Sequence, residues 1–377
     1  MLNSLELYNF KSAKELSLKL GYLTVLTGLN GSGKSTVLQA VTLLKQSLNN
    51  ESLNYSLSLQ GPIINLGRSE DIRFENSETD NVTFAVNTPN GRIVLNIPTI
   101  EGSDTLPLSY EGDIKDLIAQ FADGFQLIQA DRITPASHYN QASSFERASG
   151  WLGCRGEFTI DYLIQRGENK VSQKRHFSDE CGLISHEFLK QIAPTESLLD
   201  QTTGWLQQIS PGARPRPISL DLADATALRF SYAGSSIDSN SRDHKAINVG
   251  FGLTYCLPII VACLSAPAGS LLLIENPEAH LHPRGQAALG LLLSRCASDG
   301  VQIIVETHSD HVINGIRVAA KNKEINSEDV TVHFFSRNIE TGETSNTSPI
   351  LYDNGRFSEW PDGFFDEWSK ALDELLD

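Results

Sequence analysis

The stretch "GLNGSGKST", Gly28 to Thr36, decides the fold. It matches G-x-x-x-x-G-K-[ST] with Gly28, Gly33, Lys34 and Ser35 in the fixed places. Glycines let backbone N–H groups turn inward around phosphate oxygens, and a following helix adds the partial positive charge of its N-terminus. The context fits. "YLTVLTG" is a short apolar strand, and "KSTVLQAVTLLKQSL" carries Val37, Leu38, Val41, Leu44 and Leu48 at helical spacing. The spacing therefore predicts a phosphate loop at a strand-to-helix turn, with ATP and Mg²⁺ as cofactors. Asn30, Gly31, Ser32 and Gly33 would line the phosphates. Lys34 would reach the β- and γ-phosphates, Ser35 would ligate the metal, and Thr36 would bond the α-phosphate.

Two further apolar strands end in chemistry. "GSLLLIE" ends at Glu275, the expected metal-side acid, because ligands gather at the carboxyl ends of strands in open α/β sheets. "VQIIVETHSD" ends at Glu306, Thr307 and His308, where the imidazole is placed to meet a γ-phosphate or the attacking water. Asn276 and Glu278 follow the first acid. His280 and His282 are two apart, so they share no helical face, and no acid stands at metal-ligand spacing from them.

The 377 residues suffice for one large α/β domain with insertions, or for two domains. A net charge of −16 argues against wholesale attraction to nucleic acid, so any such contact needs a local basic face. Five scattered cysteines without a C-x-x-C pair suit a reducing cytoplasm rather than a disulfide frame or zinc site. Met1 to Phe10 contains acid and no apolar core, so no signal peptide is expected there. Residues 246–274 carry no charge, but Gly250, Gly252, Pro258, Pro267 and Gly269 divide them. They read as a buried helix near 252–265 and a buried strand at 270–275, not a membrane span.

The opening "SLELYNF" and "ELSLKL" read as strands, and 50–110 as short strands with turns such as "TPNGR". Residues 136–245 are more polar and irregular. The expected division is residues 1–135 for an N-terminal lobe, 136–245 for an inserted, mainly helical subdomain, 246–340 for a C-terminal lobe, and 341–377 for a small extension. A short amphipathic helix is expected from about Asp366. "RGENKVSQKRH", with Arg166, Lys170, Lys174 and Arg175, and "ARPRP", with Arg214 and Arg216, are the basic stretches. They read as a solvated face or, alternatively, a nucleic-acid surface. Trp360, Phe364, Phe365 and Trp368 favour packing or a partner.

The phosphate loop, "IENPEAHLHP" and "ETHSD", in that order, together with the opening "LELYNFKSAKELSL", resemble ABC-type ATPases of the RecF/SMC/OLD class. "INVGFGLTYCLPIIVACL", "ETHSDHVINGIRVA" and "WPDGFFDEW" are similar to small prokaryotic AAA-type ATPases with a conserved C-terminal domain. The middle matches only at "ADR" and "GCRGE". The resemblance implies a P-loop head with a mixed sheet core. It also implies a homodimer, or a higher oligomer, in which two heads sandwich two ATP molecules. Each phosphate loop would meet the partner's signature loop, which falls here on "NVGFG" with Gly250 and Gly252. Gly250 takes the place of the usual signature serine, and Gln60 is the candidate for the glutamine loop. Asn276 takes the place of the usual catalytic glutamate, and an amide cannot accept a proton from water. Either Glu278 or Glu306 is then the base, with His308 at the γ-phosphate, or hydrolysis is slow and bound ATP holds the dimer closed.

The function expected is a cytoplasmic ATPase that gates a partner effector, such as a nuclease or toxin in antiviral defence. No D-x-D pair follows His308, so the nuclease centre of OLD-type relatives is not expected within this chain. The alternatives are a RecF/SMC-like DNA-repair ATPase that binds DNA, and a nucleotide-gated scaffold without turnover.

Overall fold

The computed structural model describes residues 1–48, 56–122, 124–178, 186–232 and 242–361, with 372, 374 and 375 near the C-terminus. The chain divides into two compact units. One comprises Met1–Asp123, Ile304–Asp310 and Asn326–Asp377, the other Gly124–Ile303 and His311–Ile325.

The first unit has an antiparallel sheet in the order Ala13–Lys19, Ser4–Phe10, Asn81–Thr88, Gly91–Pro98, Ser109–Glu111. Alternation sets its register: Leu5 faces Leu18 and Leu7 faces Leu16, all buried. Phe10 and Phe84 meet edge to face, with centroids 4.9 Å apart. The "TPNGR" turn closes the hairpin with Thr88 opposite Gly91. The phosphate-loop strand, Leu23–Gly28, is buried over its apolar length and runs parallel to Val330–Arg337, which pairs antiparallel with Thr344–Thr347. That sheet is mixed, as expected. The helix Lys34–Leu48 begins at the loop and carries Gln46 in its last turns. The Gln46 amide donates to the carbonyls of Ser58 and Ile64 and accepts from the N–H groups of Ile63 and Ile64. One buried side chain thereby folds the loop of residues 58–64, and Gln60 lies on the exposed side of that loop.

In the second unit, Leu271–Glu275 runs parallel to Gln126–Ile128, and both are buried but for the terminal acid. The charge-free stretch includes the helix Phe251–Ser265, whose burial all round from Leu253 to Leu264 explains its lack of charged residues. Among the described residues no helix is long and apolar enough to cross a membrane. The helix Pro283–Ser298 meets the helix Asp310–Lys321 at two glycines. A Cβ on Gly290 would lie 2.2 Å from the carbonyl of Val312.

Residues 136–245 contain a sheet in addition to the helices expected there. Beside the helices Ser144–Ser149, Thr159–Arg166, His186–Ile192 and Leu198–Leu206 stands an antiparallel sheet. Its order is Tyr139–Asn140, Ala225–Tyr232, Ala213–Leu220, with His244–Lys245 also pairing with Ala225–Tyr232. "ARPRPISL" is an edge strand, the position in which Pro215 and Pro217 forfeit no ladder hydrogen bond. The helix expected from Asp366, with Phe364, Phe365 and Trp368, lies outside the described residues.

Gly290→Ala forces its Cβ into a backbone carbonyl, so the two helices must part. The expected cost is about 1–3 kcal/mol of stability, read as a lower denaturant midpoint at unchanged slope.

Candidate functional site

The first unit assembles the phosphate loop. Gly28 leaves the strand at φ +136°, and a Cβ there would meet the carbonyl of Phe335 at 2.3 Å. Gly31 and Gly33 take φ +73° and +101°, a region open to glycine and costly to others. Asn30 and Gly31 are exposed, while Ser32 and Thr36 are buried. The Lys34 side chain is 3% exposed, and its ammonium donates to the carbonyls of Gly28 (3.0 Å) and Leu29 (2.7 Å). Its third neighbour is Glu306 Oε1 at 4.0 Å, and the Ser35 hydroxyl donates to the same oxygen at 3.1 Å. The two groups that a nucleotide phosphate and its metal would need thus converge on one buried carboxylate. Thr307 is fully buried, its N–H on the carbonyl of Leu26, and it leaves His308 exposed at the tip of the same strand.

Sequence reasoning missed the brace of this loop. Thr344 Oγ1 lies 2.9 Å from the carbonyl of Ser32 and 2.8 Å from Ser12 Oγ, and the Thr344 N–H donates to the carbonyl of Ser12. A Cβ on Gly33 would come within 2.3 Å of Thr344 Oγ1. No local pattern announces a contact across 332 positions. Ser12 also lines a cleft of about 370 Å³ with Lys11, Asp71, Arg73, Phe74 and Arg337. Burial lowers the pKa of Lys11, whose ammonium donates to Gln39.

The second unit holds the other predicted residues. Glu275 ends its strand half-buried, with Oε2 2.9 Å from the N–H of Ala130. Burial pushes the Glu275 carboxyl up, while that hydrogen bond and the charge of Arg132 pull it back. Asn276 has φ +44°, a left-handed conformation that asparagine tolerates far better than glutamate does. The amide that stands where a glutamate was expected thus has a backbone reason. Glu278 lies half-buried in the turn that follows. His280, also left-handed at φ +62°, packs on Phe251 and Tyr255 with ring centroids 4.6 and 4.8 Å away. His282 caps the helix Pro283–Ser298. At the head of the helix Phe251–Ser265, a Cβ on Gly252 would lie 2.7 Å from the carbonyl of His280, so close packing requires that glycine. Gly250 has no such reason: its φ is −57° and nothing lies within 4 Å of a Cβ there.

"ADR" and "GCRGE", far apart in the sequence, form one locus. Gln129 and Ile133 donate to the carbonyls of Cys154 and Arg155, and the Arg155 guanidinium pairs with Asp131. The basic stretch is spent internally in part. Arg175 is buried against Asp299 and two carbonyls, Lys174 donates to Ser298, and Arg166 stacks on Tyr162 and donates to Arg147. Lys170 is exposed beside Glu196.

Residues 1–146 match the model described as "AAA ATPase domain". Residues 139–314 match "AAA domain, putative AbiEii toxin, Type IV TA system". Residues 325–375 match "Protein of unknown function (DUF3696)". An OLD nuclease from Thermus scotoductus is 24% identical over 329 residues, which are 82% of this chain but only 59% of that protein. An Smc head bound to the C-terminal domain of ScpA, derived from Pyrococcus furiosus, superimposes with a TM-score of 0.53 at 15% identity, covering 100% of this chain and 99% of that one. A second Smc head, bound to the C-winged-helix domain of ScpA, gives 0.51 at 15% identity, covering 93% and 98%. The fold is that of an SMC-like P-loop ATPase head, and the matches support an ATPase of the AAA/SMC/OLD type.

Thr344→Val removes the hydroxyl from Ser32 and Ser12. It should cost about 1–3 kcal/mol in denaturant unfolding and weaken nucleotide binding severalfold, read by titration with a fluorescent ATP analogue.

Proposed function

We propose that the chain is an ABC-type ATPase that binds Mg·ATP, hydrolyses it slowly, closes with a second copy while ATP is bound, and so gates a separate effector protein. The observation that carries this reading is the convergence of Lys34 and Ser35 on Glu306. Lys34 is held by replaceable partners, two loop carbonyls and a carboxylate, which phosphate oxygens match in chemistry. Ser35 donates its proton to Glu306, and its lone pairs are left for Mg²⁺. Hydroxyl and carboxylate oxygens are the hard donors that this cation takes, and Glu275 is proposed to hold its water shell. The cleft beside Ser12 suits the nucleoside end, next to the loop that takes the phosphates.

Glu306 is proposed as the general base, with His308 at the γ-phosphate and Glu278 as the competing acid. Slow turnover follows from the chemistry of these residues. Asn276 cannot accept a proton, and Glu306 must do so while engaged by Lys34 and Ser35. Turnover below the ~10 s⁻¹ typical of enzymes is expected. Gly250 and Gly252 are proposed as the signature glycines that meet the partner copy's nucleotide. Gly250 supports this, since neither strain nor crowding explains a glycine there. The matched descriptions name a nuclease and an AAA domain of a type IV TA system, which supports coupling of this ATPase to an effector activity. The DNA-repair alternative rests on few free cations, since Arg175 is buried against Asp299 and Arg166 is tied to Arg147, which leaves Lys170 and Lys174 exposed.

In Glu306→Gln, steady-state phosphate release should fall roughly 10²-fold or more with Mg·ATP binding retained. A rate equal to that of the parent would remove Glu306 as the base and turn the test to Glu278→Gln. Filter binding to duplex DNA should show no steep negative log–log salt slope, whereas such a slope would restore the DNA-acting reading.

A further inference from the structure

The second unit buries a cation for which the proposed chemistry has not yet accounted. Arg132 has no exposed surface. Its guanidinium donates to three carbonyls, those of Gln129 (3.2 Å), Glu275 (2.6 Å) and Asn276 (2.7 Å). Its flat face lies 4.3 Å from the centroid of Tyr255, on the helix that starts at Phe251. The Tyr255 hydroxyl donates to the carbonyl of Ala130, whose own N–H holds the Glu275 carboxylate. These contacts close a ring: strand end, acid, arginine and helix all hold one another.

Burying a guanidinium is costly, and simple packing would not select it. The planar fork suits one task here. The carbonyls of Glu275 and Asn276 both turn toward it because the chain goes left-handed at Asn276, φ +44°. Two fixed donors satisfy both carbonyls at once and hold that turn. A lysine can also reach two carbonyls, as Lys34 does in the first unit, but its movable ammonium would not fix their geometry.

We propose that Arg132 is a positioning residue for the acid-bearing strand end. Its fork locks the left-handed turn at Asn276, and its stack on Tyr255 ties the turn to the helix headed by Gly250, so that Glu275 and the signature loop shift as one piece. This rests on the ATPase reading for its effect on turnover, but the locked turn can be measured without it. The turn has its own reporters, since the N–H groups of Ala279 and Leu281 donate to the carbonyls of Asn276 and Glu278.

The test uses the full chain with Arg132→Lys, and with Tyr255→Leu as a second variant that leaves the guanidinium in place. Arg132→Lys is expected to lower kcat for Mg·ATP roughly 10- to 100-fold while KM stays within about twofold, the signature of lost orientation rather than lost binding. Tyr255→Leu is expected to lower kcat by a smaller factor, again with KM kept. Hydrogen exchange across residues 276–281 should quicken in both, with protection elsewhere unchanged. If Arg132→Lys fails to fold, Tyr255→Leu decides, and an unchanged kcat with unchanged exchange in the turn overturns the proposal. If the parent chain turns over no ATP, the ATPase reading fails. Exchange alone then judges Arg132, and protection of 276–281 equal to the parent's overturns it.

Discussion

A lysine ammonium with almost no access to water must find its partners inside the protein, and the loop of the first unit is shaped around that demand. Lys34 is satisfied by the carbonyls of Gly28 and Leu29 and the charge of Glu306. For those carbonyls to face it, the chain must leave the strand in a conformation only glycine adopts easily, which fixes Gly28. For the loop to stay closed over it, the outer turn needs a brace, which Ser12 and Thr344 supply. The carboxylate must come from a neighbouring strand end, which sets where Glu306 and His308 emerge. The phosphate chemistry is thus grounded in a folding requirement: the arrangement that satisfies the lysine is also the one a phosphate can take over.

The second unit solves a related problem with a different cation. Lys34 and Arg132 both bind carbonyls where a strand ends. The choice of residue matches the task. An ammonium on a flexible stem can leave its carbonyls for a phosphate, whereas a planar guanidinium held by three carbonyls and an aromatic face stays put. In the proposed mechanism one strand end exchanges partners and the other remains rigid. Asn276 belongs to the rigid end, since its left-handed backbone suits asparagine. The residue that cannot act as a base in the proposed mechanism is also the one whose side chain suits the left-handed turn behind the acid.

How much of this the sequence announced depends on distance along the chain. The phosphate loop, the helix after it, and the strands that end at Glu275 and Glu306 were legible because each signal lies within about ten contiguous residues. The buried helix from Phe251 followed from apolar patterning, and the mixed sheet from the family resemblance. The braces were not legible: Ser12 with Thr344, Gln46 with the loop at 58–64, and Arg132 with Asn276 are single polar residues whose partners lie elsewhere in the chain. "ARPRPISL" was legible as a basic stretch but not as a strand, because its charges and prolines hide an edge strand that tolerates both. The basic stretch before it looked like a surface because sequence does not show that Arg175 turns inward to Asp299 and two carbonyls.

The central claim is that the Lys34 site binds and cleaves ATP. Single-turnover conversion of radiolabelled ATP, with the purified chain in excess over nucleotide and Mg²⁺ present, tests it most directly. The account predicts slow, complete conversion to ADP and phosphate, abolished by chelating the metal and by Lys34→Ala. ATP that stays intact with the parent chain, or that is converted equally well by Lys34→Ala, would contradict it.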